Sequence, residues 1–299
     1  MSVKVATQTK VLSPVRQKLE DYGMLFKFRL NLLVIFSAAM AYLIAVGAAM
    51  DWTVLVLLCV GGFLVTGASN ILNQVLERES DQMMKRTANR PLPTGRMSVS
   101  EAVMIAGFTS LFGITLLAAI NPWTALLGTV SFILYAFVYT PMKKVSPIAV
   151  FIGAIPGALP TMIGCVAGEG TITALAIGLF AIQFMWQFPH FWAIAWVGHE
   201  DYTNAGFRLL PSKNGEKDSN TGLQSFIFSL MLIVVSWMPY FLGVTGIIST
   251  VVLTIIGLAY AWYSWELYKK CTKEAALRLM FSSFVYLPIA LVVLVLDKI

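Results

Sequence analysis

Nine apolar runs, each long enough to cross a bilayer as a helix, limit what this chain can fold into. They fall near residues 29–49, 53–75, 99–119, 122–140, 147–167, 172–196, 222–243, 246–267 and 276–296. Inside hydrocarbon, only helices and closed barrels satisfy their own backbone polar groups. Runs of this length therefore predict an all-α polytopic bundle of nine transmembrane helices. Composition agrees: 58% of the 299 residues are hydrophobic and 12% are charged, where a soluble domain carries about a quarter. Mean hydropathy is +0.77.

The connections alternate sharply in charge. Lys4, Lys10, Arg16, Lys18, Lys27 and Arg29 precede or open the first run, and Arg78, Lys85, Arg86, Arg90 and Arg96 follow the second. Lys143 and Lys144 follow the fourth run, Arg208, Lys213 and Lys217 the sixth, and Lys269, Lys270, Lys273 and Arg278 lie between the eighth and ninth. The opposite turns, near Asp51, Asn121, Glu169 and Gly243, hold no Lys or Arg, so every one of the 21 basic residues except Lys298 falls on one side. The positive-inside rule then puts the N-terminus in the cytoplasm and the C-terminus outside. Merging or dropping a run would scramble that order. The net charge of +6 thus reports membrane topology and not a nucleic-acid surface. Cys59, Cys165 and Cys271 are scattered, and no CxxC or CxxCH occurs, which leaves disulfide, structural zinc and c-type haem readings unsupported.

Residues 1–27 read as a polar cytoplasmic tail with an amphipathic part near Val15–Phe26, without a secretory signal, and 28–299 as a single transmembrane domain. The two long loops, 76–98 and 197–221, both lie on the basic side, so the working face is expected there. The first of them carries the most loaded stretch, Asn70 to Arg96. Thr66, Asn70, Asn73, Glu77 and Asp81 recur every three or four residues and stack along one helical face. Polar groups at membrane depth are costly unless they face a cavity, a partner or an ion. Two acids a helical turn apart, followed by Lys85, Arg86, Arg90 and Arg96, have the chemistry of a magnesium–diphosphate site. Pro91 and Pro93 turn the chain and bring the guanidinium forks back toward the acids. Asp81 and Pro91 are echoed ten apart by Asp201 and Pro211, four spans later.

Tyr139 and Lys143, in YTPMKK, end span four on the same side. They read either as an interfacial tyrosine with snorkelling lysines or as a phosphate contact, and Lys27 and Arg29 are read in the same way. In span six, Gln183, Gln187 and His190 share a face, with Asp201 on it too if the helix continues past Pro189 and His199. This face is a polar wall, or offers an axial iron ligand in a pocket that accepts a porphyrin. Phe180, Phe184, Trp186, Phe188, Phe191, Trp192 and Trp196 face lipid or line a slot for an isoprenoid chain or a flat macrocycle.

With these residues in hand, the chain resembles the intramembrane (UbiA-type) prenyltransferase superfamily, and within it the branch that farnesylates protohaem IX. The resemblance runs from Lys27-x-Arg29 to the ninth span. NQVLERESDQMMKRTANRPLPTGR is similar to the first acidic block, Tyr139-x3-Lys143 to the Tyr/Lys motif, and QFPHFW with DYxxAG to the haem branch. It implies a nine-helix bundle round a central cavity. It also implies Mg2+ held by Asn73, Glu77, Asp81 and Asp201, and farnesyl diphosphate clamped by Lys27, Arg29, Arg86, Arg90, Tyr139 and Lys143. Gln183, Gln187, His190 and His199 would form the pocket for haem B, a substrate and not a resident cofactor. Farnesyl transfer to a vinyl group with water addition would give haem O and diphosphate. The setting would be a bacterial inner membrane, with a haem A synthase or terminal oxidase assembly as partner.

Two departures stand out. Val197 and Ala205 flank Asp201 where the superfamily's second motif carries a second acid four residues away, and Arg208 stands where the haem branch is expected to have proline. Two rival readings use the same layout. An aromatic prenyltransferase of quinone biosynthesis would share the magnesium site, and a transporter would use the helices and charges without releasing diphosphate.

Overall fold

In a computed structural model the structure describes residues 13–212 and 216–299; Lys4, Lys10 and Lys213 lie outside them. The described residues contain nine helices long and apolar enough to span a membrane: Phe28–Ala49, Trp52–Leu76, Val99–Ala118, Pro122–Met142, Ala149–Glu169, Ala174–Val197, Ser219–Phe241, Ile247–Lys270 and Lys273–Leu296. They contain no strand, only one isolated bridge between Thr245 and Lys298. The fold is an all-α integral membrane bundle, and the spans fall where the apolar runs predict them, within a few residues at each end.

The turns between spans end and restart helices by side-chain capping. Asp51 accepts from the Thr53 amide at 2.7 Å, ahead of α3 (Trp52–Leu76). Asn121 does the same for Thr124 at 2.9 Å, ahead of α6 (Pro122–Ile133), where Pro122 supplies a preset φ at the first turn. On the basic side, α1 (Pro14–Leu25) opens with the Ser13–Pro14 pair and meets α2 (Phe28–Val46) at Lys27. Lys27 takes the left-handed conformation, φ 47°, which costs a non-glycine residue about 1 kcal/mol and needs local contacts to hold it. The α3 helix ends at Leu76 and, past the one non-helical residue Glu77, is followed by the short α4 (Arg78–Met83), with the Glu77 amide on the Asn73 carbonyl at 2.9 Å and the Asp81 amide on the Glu77 carbonyl at 2.7 Å. The polar stripe therefore keeps its helical register past the end of the span.

In span four a π-helical turn, Leu134–Tyr139, separates α6 from α7 (Thr140–Met142), and the Thr140 amide donates to the Tyr135 carbonyl. Pro141 cannot donate to the carbonyl four residues back, and the wider turn accommodates its ring. The chain continues as α8 (Ala149–Glu169), α9 (Ala174–Val197), α10 (His199–Asn204), α11 (Ser219–Val235), α12 (Met238–Phe241), α13 (Ile247–Lys270) and α14 (Lys273–Leu296). Helix α3 packs on α5 (Val99–Ala118), α2 on α8, α8 on α9, and α11 on α13; α14 reaches back to α9 and α2 and closes the ring.

Lys298, the one basic residue off the pattern, is used in that closure. Its ammonium donates to the Ile44 carbonyl and, at 2.9 Å, to the Ala45 carbonyl, at the C-terminal end of α2, where a cation also meets the negative end of the helix dipole. Neighbouring Asp297 caps α13 by accepting from the Ser249 amide at 2.6 Å.

Helix α8 is the most enclosed span, and small residues let its neighbours come close. At Gly164 a Cβ would lie 1.9 Å from the carbonyl oxygen of Ala38 on α2. We therefore expect Gly164→Ala to push α2 and α8 apart, with a loss of about 1–3 kcal/mol and a lower thermal midpoint in detergent. Gly107→Ala, with nothing within 4 Å of its Cβ, should hold or raise that midpoint.

Candidate functional site

The polar stripe is buried, with Asn73 1%, Glu77 5% and Asp81 0% exposed. Each of these three meets a cation from a different segment. Lys27 Nζ donates to Asn73 Oδ1 at 2.8 Å, Lys143 Nζ pairs with Glu77 Oε1 at 2.7 Å, and Arg90 Nη1 pairs with Asp81 Oδ2 at 2.7 Å. Buried charges survive only when paired; removing one partner of such a pair typically costs about 3–5 kcal/mol. Asn73 also donates to Thr140 Oγ1 at 3.1 Å, and that hydroxyl donates to the Tyr135 carbonyl. The π turn of span four is thereby fastened to the stripe.

Charge crowding acts on both lysines. Burial, reinforced by Arg90 and Lys143 nearby, pushes the Lys27 ammonium down to about 7. Burial also opposes the charge on Lys143, but Glu77, Tyr135 and Tyr202 outweigh it and hold the pKa above the ordinary lysine value. Lys143 further lies 4.6 Å above the Tyr139 ring and 5.6 Å above that of Phe207.

The second basic-side loop closes over this layer. Arg86 donates to the Tyr202 hydroxyl at 3.2 Å, Met84 packs with Ala205 and Phe207, and the Arg208 amide donates to the Lys143 carbonyl at 2.8 Å. That last contact gives Arg208 a physical role: a proline there would have no N–H to offer. Span six passes to Asp201 as α3 does to Asp81, across one non-helical residue: α9 ends at Val197, the Tyr202 amide donates to the Gly198 carbonyl at 3.0 Å, and Asp201 lies half-buried in α10. Among the described residues no three His, Cys, Asp or Glu side chains converge tightly enough to hold a metal by themselves. Asp81 Oδ1 is nevertheless buried without a hydrogen-bond partner. Carboxylate oxygens of this kind suit Mg2+, which is commonly held by one or two carboxylates together with water and phosphate oxygens.

Beneath the charged layer lies a cavity of about 510 Å3. Its polar lining includes Asn70, Tyr139, Gln183, Gln187 and His190, and its apolar lining includes Trp186. Gln183 donates to the Gly157 carbonyl at 2.8 Å and Gln187 to the Ala154 carbonyl at 3.1 Å. Gly157 is required by that approach, since a Cβ there would meet Gln187 Oε1 at 2.0 Å. His190 bonds Ser283 Oγ at 2.7 Å and stacks on Trp186 with 4.6 Å between ring centroids. His199, at the start of α10, is not among the lining residues. Arg29 is exposed and shares a groove with Lys27, Glu20, Phe28 and Leu30.

Thr140 carries no signal in its sequence pattern, and the amphipathic part expected near Val15–Phe26 is the helix α1, whose packing partner the pattern did not give. Arg96, grouped by sequence with the cations near the acids, is instead held by Asp21 of α1. Its Nη2 lies 2.8 Å from Asp21 Oδ1 and its Nε 3.2 Å from Asp21 Oδ2, and a further bond reaches the Asn89 carbonyl at 2.8 Å. Gln74 fixes the end of α1 by donating to the Leu25 carbonyl at 2.6 Å. The helix in the polar N-terminal segment is therefore a strut for the loop that carries Arg86 and Arg90.

The sequence pattern of the UbiA prenyltransferase family matches residues 34–287. The chain belongs to that family. Its relatives include the protoheme IX farnesyltransferase of Cytophaga hutchinsonii, 47% identical over 281 residues that cover 94% of this chain and 98% of that protein. The protoheme IX farnesyltransferase of Christiangramia forsetii is 42% identical over 297 residues, 98% of each chain. Solved UbiA-type folds agree. A digeranylgeranylglyceryl phosphate synthase superposes with a TM-score of 0.79 at 21% identity, over 94% of this chain and 98% of its own. A UbiA homologue from Archaeoglobus fulgidus bound to GPP and Mg2+ gives 0.67 at 17% identity, over 92% and 99%. This UbiA-family chain is thus an integral membrane prenyltransferase.

Within it, the Asp21–Arg96 contact contributes at the low end of the ~1.5–3 kcal/mol range for hydrogen bonds to a charged group, because the arginine is partly solvated. Asp21→Asn is expected to raise trypsin cleavage after Lys85 and Arg86 by roughly tenfold, as measured on membranes with the basic face accessible.

Proposed function

We propose that this protein transfers the farnesyl group of farnesyl diphosphate to a vinyl group of haem B, with addition of water, yielding haem O and diphosphate. The observation that carries this reading is a layer of paired cations and oxygen donors at the mouth of an apolar cavity walled by His190, Gln183 and Gln187. A diphosphate and a large apolar acceptor can meet there. The relatives named for the same reaction on protohaem IX support it.

In this scheme Lys27, Lys143, Arg90 and Arg86 grip the diphosphate oxygens, Tyr139 stands beside them, and Arg29 is the outermost cation on the approach. Asn73, Glu77, Asp81 and Asp201 would hold Mg2+, which supplies charge neutralisation for the departing diphosphate. The apolar lining keeps water from the allylic cation except where the polar wall of α9 admits it. Gln183, Gln187 and His190 orient the porphyrin, and His199 borders the site from α10.

Residues 28–299 act as one domain, preceded by the 1–27 segment. The basic face, the N-terminus and the two acidic loops lie in the cytoplasm, and the C-terminus lies outside the inner membrane of a bacterium. The product would supply a haem A synthase or a terminal oxidase assembly.

The test uses membranes containing the wild type or Asp81→Asn, given haem B, farnesyl diphosphate and Mg2+, with extracted haem separated and weighed by mass spectrometry. Wild type should form farnesylated, hydroxylated haem, and Asp81→Asn should lower turnover by at least about 100-fold. Diphosphate release with 4-hydroxybenzoate while haem B returns unchanged would move the substrate to a quinone precursor. No diphosphate release with either acceptor would favour transport.

A further inference from the structure

His190 is more defined than a wall residue needs to be. Its Nδ1 lies 2.7 Å from Ser283 Oγ. Ser283 has one hydroxyl hydrogen, and that hydroxyl donates to the Met280 carbonyl at 2.5 Å. Ser283 Oγ is therefore the acceptor at the imidazole, Nδ1 carries the ring hydrogen, and the free lone pair belongs to Nε2. The ring cannot turn away easily, since it stacks on Trp186 at an interplanar angle of 21° and meets the edge of Phe284 at 5.3 Å. Its residue lines the cavity, and the hydrogen bond at Nδ1 is the one the described residues make to the ring.

Two helical turns earlier on the same face, Gln183 has its amide nitrogen fixed on the Gly157 carbonyl. Its Oε1 is buried without a hydrogen-bond partner among the described residues. That oxygen is closed off from the cavity, so the basic nitrogen offered from this face of α9 is the one on His190. A lone pair held in place at the wall of this cavity suits a small molecule with a hydrogen to donate and a lone pair of its own to give, which describes water.

We propose that His190 is the general base that activates the water captured by the substrate cation. This rests on the haem-farnesylating reading above. As the allylic C–O bond breaks, its electron pair leaves with diphosphate, and the vinyl π pair forms the new C–C bond. The positive charge then sits on the vinyl carbon attached to the pyrrole. A water lone pair forms the C–O bond there, one water O–H breaks, and His190 Nε2 takes the proton. The imidazolium passes that proton to diphosphate or to bulk water, and no oxidant or reductant is required. Without the base, the same cation can instead lose a neighbouring proton and leave an alkene that is one water lighter.

The test is the product ratio in membranes given haem B, farnesyl diphosphate and Mg2+. Wild type should give the hydroxylated product, whereas His190→Ala and His190→Gln should raise the proportion of alkene at least about tenfold, the lower side of what a general base contributes. Ser283→Ala, which leaves the imidazole present but without its partner at Nδ1, should shift the ratio in the same direction to a smaller extent. The Soret band of bound haem should be unchanged in His190→Ala. If the His190 variants make no farnesylated haem, Ser283→Ala decides, alkene supporting the assignment and hydroxylated product alone overturning it. Hydroxylated product alone from the His190 variants, or a Soret shift that marks His190 as an iron ligand, would also overturn it. A wild type that farnesylates no haem would instead remove the functional reading beneath it.

Discussion

The arrangement depends on neutralising a polar stripe that the fold buries at the membrane boundary. Glu77 and Asp81 would be prohibitive there as bare charges. Lys143 arrives from the end of span four and Arg90 from the loop that turns back over residues 84–90, each at 2.7 Å from its acid. Three separate chain segments must converge for the stripe to be tolerated, with Lys27 the third. That requirement links helix packing to the charged layer, because moving α2, span four or the 84–98 loop exposes a charge without its partner.

Several irregular features follow from the same demand. The left-handed Lys27, the π turn before Pro141 and the break at Gly198 each depart from regular helix next to the charged layer. Each re-aims a side chain or frees a backbone group that straight helices would have directed elsewhere. The Arg208 amide on the Lys143 carbonyl is of this kind, tying the second basic-side loop to the residue that balances Glu77. Outside this layer the bundle is ordinary, with side-chain caps at the turns, glycine and alanine at helix crossings, and Lys298 holding the last span to the first.

Much of this was legible in the chain. The nine spans follow from run length, because a helix that crosses hydrocarbon needs about 20 apolar residues. The Asn73–Glu77–Asp81 face follows from helical periodicity and persists because α4 continues the register of α3. Arg90 returning to Asp81 is expected from the prolines, but the turns that bring it back lie ahead of them, at residues 84–90, where the Thr87 hydroxyl also donates to the Asp81 carbonyl. By contrast, Arg96 looks in sequence like Arg90, yet Asp21 holds it, and nothing local distinguishes the two. Asp201 reads as a continuation of the α9 face, and α10 does follow α9 after the single residue Gly198, yet Asp201 is half-buried where Asp81 is fully enclosed. Thr140 and Tyr202 carry no periodic signal at all, since their roles lie in contacts 67 and 116 residues away along the chain.

The sequence by itself determined the all-helical membrane class, the number and order of the spans, the segregation of basic residues to one face and the identity of the buried polar stripe. These are properties of hydropathy, period and charge that each segment carries alone. Only the tertiary structure decided which cation meets which acid, which nitrogen of His190 keeps its lone pair, and which of the polar residues on α9 line the cavity. Those outcomes depend on distances between segments far apart in the chain. A hydrogen bond or ion pair lost over an ångström or two has no counterpart in spacing along the sequence.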